Sequence, residues 1–162
     1  MKPRIITLKE KKLIGMKLNM SMINNLTGTL WSKFGPRINE VSHMVSNDKF
    51  SMQVFDRSYF SEFNPHKEFT KWAAVEVSEL KNIPKEMESF LLAEGLYAVF
   101  NYKGSSADSS IFEYIYSQWI PNASYQLDDR PHFEVLGEKY KNNDPDSEEE
   151  IWIPIKKKAS IL

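Results

Sequence analysis

The sequence predicts an α+β domain: a tandem, pseudo-twofold βαββ repeat whose antiparallel sheet carries two helices on one face and a ligand groove on the other. Three observations predict it. Two-residue alternation of apolar and polar positions recurs in both halves of the chain. Helical spacing occurs once in each half, after one strand and before two more. The stretch Lys49-Phe50-Ser51-Met52-Gln53-Val54 can be laid over Arg130-Pro131-His132-Phe133-Glu134-Val135. The chain has 162 residues, which fits one domain over 1–162. Its first half falls at about 5–78, its second at about 88–157, and a tail at 158–162.

The first half opens with Ile14, Met16, Leu18 and Met20 alternating against Gly15, Lys17 and Asn19 as a half-buried strand. Leu26, Leu30 and Phe34 then fall at i, i+4 and i+8, with Asn24 or Asn25 as N-cap and Gly35-Pro36 as the break. A second strand spans Phe50 to Asp56 and a third Phe69 to Val77, separated by an aromatic loop with Tyr59, Phe60 and Phe63. The second half repeats the order. Leu91 to Lys103 reads as a strand, and Ser106 to Trp119 as a helix with Ile111, Ile115 and Trp119 in one stripe, stopped by Pro121. Pro131 to Tyr140 and Glu149 to Ile155 read as the closing strands.

Two helices cover one sheet face. The apolar sets Met52/Val54, Val75/Val77, Phe133/Val135 and Ile151/Ile153/Ile155 are assigned to it. Alternation then puts Gln53, Phe55, Trp72, Glu76, Glu134 and Trp152 on the opposite face. A face that only met water would be polar and bland. This one mixes tryptophans, a phenylalanine and two carboxylates, the composition of a small-molecule groove. A carboxylate among aromatic rings is poorly hydrated, and an organic cation restores what it lost. Glu134 is the centre of that groove, whether it holds a cation or, with Glu76 as the other catalytic candidate, moves a proton.

Other chemistries are disfavoured. Net charge is −1 and the one basic run, Lys156 to Lys158, follows acidic residues, so direct nucleic-acid binding is not expected. There is no cysteine, which fits a cytoplasmic protein without disulfides. Charged residues interrupt every apolar run of the N-terminus, and no stretch is long enough to cross a membrane. His43, His66 and His132 lack metal-ligand spacing. Glycine patterns for phosphate or dinucleotide binding are missing, and Gly104-Ser105-Ser106 is not a nucleophile elbow. No metal and no cofactor is expected.

Four motifs carry a family resemblance: Gly95-Leu96-Tyr97-Ala98-Val99-Phe100 with Lys103-Gly104; Tyr116-Ser117-Gln118-Trp119-Ile120-Pro121; Pro131-His132-Phe133-Glu134; and Glu150-Ile151-Trp152-Ile153-Pro154-Ile155. In this order they resemble the gyrase-inhibitor-like (GyrI-like), or AraC-type effector-binding, domain over about residues 5 to 157. The resemblance implies the tandem βαββ fold and a groove between halves with a buried glutamate, matched here by Glu134, that meets cationic or amphipathic ligands, as in multidrug binding. It adds Tyr97 to the ligand-binding candidates. In that family the domain is often fused to a helix-turn-helix segment; here the domain uses about the whole chain, so a stand-alone, transcription-regulator-like member is expected. Its implied roles are to bind or sequester a small molecule, to hydrolyse small electrophiles, or to modulate a protein partner such as gyrase.

Overall fold

The computed structural model describes residues 1–159. In the first half, β2 (Lys11–Ser21) leads into α1 (Thr27–Phe34), and β3 (Met44–Val54) and β4 (Glu68–Val77) follow. In the second half, β6 (Gly95–Lys103) leads into α2 (Ser110–Tyr114), which runs through a π-helical turn (Ile115–Trp119) into α3 (Ile120–Asn122), and β8 (His132–Leu136) and β9 (Glu148–Lys157) follow. Three short strands complete the molecule: β1 (Arg4–Leu8), β5 (Glu88–Leu92) and β7 (Tyr125–Leu127). All pairings are antiparallel, in the order β1-β6-β9-β8-β3-β4-β2-β5, with β7 beside β9. The sheet curls into a half-barrel.

The α+β repeat is therefore as the sequence predicts. Several boundaries differ: β3 begins at Met44 rather than Phe50, α2 at Ser110 rather than Ser106, and β8 ends at Leu136 rather than Tyr140. Three further differences have local reasons. Asn25 does not cap α1; its Oδ1 accepts from Thr27 N at 3.0 Å in a turn just before the helix, whose N-cap position is Leu26. Pro121 does not stop the second helix but lies inside the last turn, α3. The π-helical turn before it widens the backbone where the proline ring and its missing N–H break the regular ladder. The expected strand from Leu91 to Lys103 is two strands, β5 and β6, pairing with β2 and β9 respectively. The tail residues 160–162 lie outside the described residues.

The central pair is β3 with β8. Ser51 faces Glu134, Met52 faces Phe133 and Gln53 faces His132. The pseudo-twofold axis thus passes through the Met52–Phe133 pair and relates Gln53 to Glu134, as the overlaid segments predict.

Both faces of the sheet are buried, and this revises the assignment of residues to faces. On the helix side, α1 packs Leu30 and Phe34 on Ile14, Ala73, Val75 and Val77. The second helix packs Ile111 and Ile115 on Ala98, Phe100, Ile151, Ile153 and Ile155. The other side holds a third core: Leu13, Phe50, Met52, Trp72, Tyr97, Val99 and Phe133, flanked by Val54, Val135 and Trp152. Met52/Val54 and Phe133/Val135 therefore lie away from the helices, together with Trp72 and Trp152. Cross-strand rows keep to one face. Since Glu134 pairs with both Ser51 and Ile151, and Ile151 lies under the second helix, Glu134 faces the helices.

Gly15 on β2 is required by close approach. A Cβ there would collide with the Ala73 carbonyl oxygen and with Ala74 on β4, all backbone or short side chain. Gly28 on α1 is free of such contacts, with nothing within 4 Å of its added Cβ. Gly15→Ala is expected to cost about 1–3 kcal/mol through overpacking, whereas Gly28→Ala should gain up to about 1 kcal/mol from helix propensity. Thermal or urea melts of the two variants against wild type check both signs.

Candidate functional site

Between α1, the segment entering α2, and the helix-facing surface of the central strands lies a cavity of about 800 Å³. Its floor carries Lys49 and Ser51 of β3, Lys71 of β4, Glu134 and Leu136 of β8, and Glu149 of β9. Trp31 on α1 and Phe112 on α2 supply the aromatic walls. Ser106, Asn142 and Asn143 close one end, tied together by the Ser106 hydroxyl, which donates to Asn142 Oδ1 at 3.2 Å and accepts from Asn143 N at 3.1 Å. This position, between two helices that each cover only their own half of the sheet, follows from the repeat: the central β3–β8 pair is left uncovered by either helix.

Glu134 is half-buried and lines this cavity. Gln53, its pseudo-symmetric counterpart, donates Nε2 to Glu134 Oε1 at 3.3 Å. Burial holds the Glu134 carboxyl above its ordinary range, opposed by the Lys71 charge and the Gln53 hydrogen bond. Glu149 is pushed up to about 7, first by burial and then by the Glu134 charge, with Lys71 pulling the other way. Lys71 is 5% exposed. Burial lowers its ammonium, and Glu134 and Glu149 support the charge through space only. On β3, between their strands, Gln53 lies across from Lys71 and Ser51 across from Glu134.

Along the same face, beyond Gln53, an aromatic cluster follows. Phe55 packs against Tyr59, Phe60, Phe69 and His132, and Phe60 stacks on both His132 and Tyr116 at 5.2 Å between ring centroids. Burial, with the nearby Arg130 charge second, pushes His132 down to about 3. Burial raises the Tyr116 phenol, reinforced by the Glu134 charge. Both groups are thus neutral near pH 7. They share one hydrogen bond, between the Tyr116 hydroxyl and His132 Nδ1 at 2.8 Å.

The structure brings Glu134 and Gln53 together and sets Phe55 at the adjoining cluster. It does not bring the other sequence candidates to this cavity. Trp72 is 4% exposed in the opposite core, edge-on to Phe90, and Trp152 stacks on Phe133 at 5.2 Å there. Glu76 pairs with Lys11 at 3.3 Å, also away from Glu134. Tyr97 is fully buried on that side; its hydroxyl donates to the Pro131 carbonyl at 2.7 Å and its ring underlies the Arg130 guanidinium at 4.7 Å. Tyr97 therefore positions the strand that carries Glu134 from behind. Lys71, Glu149, Trp31 and Phe112 are the cavity residues that sequence reasoning missed. Lys71 sat unremarked between Thr70 and Trp72 in a strand whose other charged residues are exposed or half-buried. Glu149 opens the strand expected from Glu149 to Ile155, and it stands in the acidic run Glu148 to Glu150, where nothing local sets it apart from its neighbours.

The model of the GyrI-like small-molecule-binding domain matches residues 1–156. The chain belongs to this family. It is similar to the transcriptional regulator BrlR of Pseudomonas aeruginosa, with 28% identity over 158 residues, covering 96% of this chain and 56% of that protein. The chain thus spans about half the length of that curated relative. Its fold is similar to that of SAV2435 bound to tetraphenylphosphonium (TM-score 0.75, 16% identity, 96% of this chain and 94% of that one). It is also similar to EcmrR in its complex with DNA (TM-score 0.71, 13% identity, 96% and 57%). No helix among the described residues of this GyrI-like chain is long and apolar enough to cross a membrane.

Two buried groups give opposite acid responses. Unfolded His132 takes up a proton below about pH 6.5 that the folded site refuses until about 3, so stability is lost through His132 as pH falls across that window. Folded Glu149 holds its proton up to about 7 and the unfolded residue only to 4.5, so stability is gained through Glu149 as pH falls from 7 to 4.5. Glu149→Gln should therefore melt above wild type at about pH 8 and lose that advantage by about pH 5. His132→Gln should melt lower in absolute terms, yet fall less steeply between about pH 6 and 4. Calorimetric melts across pH read both.

Proposed function

We propose that this chain binds a flat amphipathic organic cation, its charge on Glu134 and its apolar body between Trp31 and Phe112. The observation that carries this reading is the charge balance of the cavity. Glu134 and Glu149 share it with Lys71, and with both carboxylates ionised Lys71 compensates one of them. Lys49, at the rim of the same floor, points its charge where solvent reaches it. An entering cation relieves the carboxylate that burial leaves short of compensation, and aromatic walls attract the same cation by roughly 0.5–2 kcal/mol per ring. A ligand-bound neighbour of the same fold carries a lipophilic phosphonium cation, which agrees with this choice of ligand class. The chain then acts as a cytoplasmic sensing or sequestering domain whose output passes through another protein or segment rather than through DNA contacts of its own.

Titration with rhodamine 6G, followed by quenching of tryptophan fluorescence, tests the reading. Wild type should bind, and Glu134→Gln should bind at least about tenfold more weakly, as expected when one member of a desolvated charge pair is removed. Absence of binding by wild type, or equal binding by Glu134→Gln, refutes it.

A second reading is favoured by one specific feature: a carboxyl that titrates near neutrality, Glu149, beside the carboxylate of Glu134. Such a pair can activate water against a small electrophile, one group taking the proton and the other returning it. The pair that geometry offers for this is Glu134 with Glu149, in place of Glu134 with Glu76. Turnover of activated epoxides or esters that is abolished in both Glu134→Gln and Glu149→Gln would support hydrolysis; turnover equal to that of the variants counts against it.

A further inference from the structure

Lysine is among the residues least often found buried, and Lys71 is one of five polar or charged side chains in the buried class here, at 5% exposure. It is not placed there to complete an ion pair. Its neighbours across the sheet are Leu18 on β2 and Gln53 on β3. Gln53 is committed to Glu134, and both carboxylates act on the Lys71 ammonium without a hydrogen bond to it. The side chain nonetheless lines the cavity floor, so its amine is presented to whatever enters.

We propose that Lys71 is a carbonyl-capturing amine, which forms an imine with hydrophobic aldehydes admitted to the groove. This rests on the groove accepting an organic guest, but not on that guest being a cation. The parts needed for imine formation are present. The nucleophile must be an uncharged amine, and burial among apolar and aromatic groups shifts Lys71 in that direction, as it does for Schiff-base lysines. The groups facing it from each side are Glu134 on β8, Glu149 on β9 and Lys49 on β3, with the uncharged Trp31 and Phe112 above. A proton donor must be available near neutrality, and the Glu149 carboxyl holds its proton up to about pH 7.

The step balances without any further reagent. The nitrogen lone pair forms a bond to the carbonyl carbon as the carbonyl π pair moves to oxygen. A proton passes from nitrogen to that oxygen by way of a carboxylate. Protonation of the resulting hydroxyl by Glu149 then breaks the carbon–oxygen bond and releases one water, leaving the carbon–nitrogen double bond. Amine and aldehyde are thus converted to imine and water, with nothing oxidised or reduced. A protonated imine retains the positive charge that Glu134 and Glu149 stabilise, so the product suits the site as well as the reactant does.

The test is reductive trapping of the full chain with 2-naphthaldehyde and cyanoborohydride near neutral pH, read by intact mass and peptide mapping. One adduct is expected, on Lys71, forming at least about ten times faster than on any surface lysine, because the groove gathers the aldehyde beside Lys71 and burial moves its amine toward the neutral form. Lys71→Arg should lose this adduct, and Glu149→Gln should slow it several-fold. Where Lys71→Arg melts far below wild type, the mapping of wild-type adducts decides alone. Adducts spread over surface lysines without preference for Lys71 overturn the proposal. The isosteric alcohol, 2-naphthalenemethanol, separates the two readings. Alcohol that quenches tryptophan fluorescence while the aldehyde fails to label Lys71 refutes amine capture alone. Labelling of Lys71 by a protein that ignores rhodamine 6G supports capture while refuting the cation reading.

Discussion

Three ionisable side chains, Lys71, Glu134 and Glu149, line one cleft between the helices and the central strands. Lys71 and Glu134 stand on strands that flank β3, where Gln53 lies across from Lys71 and Ser51 across from Glu134. Each group pays for burial and each is partly repaid by the others: the carboxyls are held high, the ammonium is held low, and the through-space attraction between them limits both shifts. A buried set of this kind stabilises a fold poorly, since apolar residues of similar size would serve as well or better. Its retention at the floor of a cavity is what a binding or reacting site requires.

The repeat explains where the cleft lies. Each half supplies one helix and covers its own part of the sheet, and the axis between halves leaves β3 and β8 bare. At that axis, equivalent positions approach each other. Were both glutamates, two buried like charges would meet at Gln53 and Glu134. Glutamine instead offers its amide to the carboxylate, so the departure from exact symmetry is the condition for a single centred charge. The second core behind the sheet serves this arrangement. Tyr97 fixes the Pro131 carbonyl, and Arg130 lies over the Tyr97 ring with hydrogen bonds to Asp128, Leu96 and Ile155. An added Cβ at Gly95 would strike that guanidinium, which accounts for the glycine at the start of β6. The start of β8, and with it the reach of Glu134, is thereby set from the far side of the sheet.

How much of this was legible follows from what periodicity can encode. The repeat, both helices and the overlay of 49–54 on 130–135, with the matching positions Gln53 and Glu134, were readable, because each depends on local spacing. The face that Glu134 occupies was not. Alternation splits each strand into two sets of residues, but the phase between strands comes from register, and register is set by long-range pairing. In a sheet with one wet face, polarity would have resolved the phase. Here both faces are buried, so polarity gave no phase, and Met52 and Phe133 were assigned to the helix face and Trp152 to the opposite one, whereas all three share one core. The short strands β1, β5 and β7 were missed because their residues carry little alternation and are ordered by the edges they complete. Lys71 could have been found by one signal: a lysine in the buried parity of β4, in line with Ala73, Val75 and Val77.

Cation binding and amine capture are coupled through the same charges. A cation seated on Glu134 takes up part of the field that supports the Lys71 ammonium, so it makes the neutral amine easier to reach. By linkage, any change that neutralises Lys71 strengthens the hold of the carboxylates on a cation by the same factor. Protonation of Glu149 acts on the two in opposite senses: it removes negative charge that a guest cation would meet, yet it eases loss of the Lys71 proton and supplies the proton that imine formation needs. The site is thus a small network in which guest charge, lysine state and glutamate state are set together. The charge of the cleft changes with pH around neutrality for a reason built into the fold: burial and the Glu134 charge push Glu149, on the last long strand, up to about 7, with Lys71 pulling the other way.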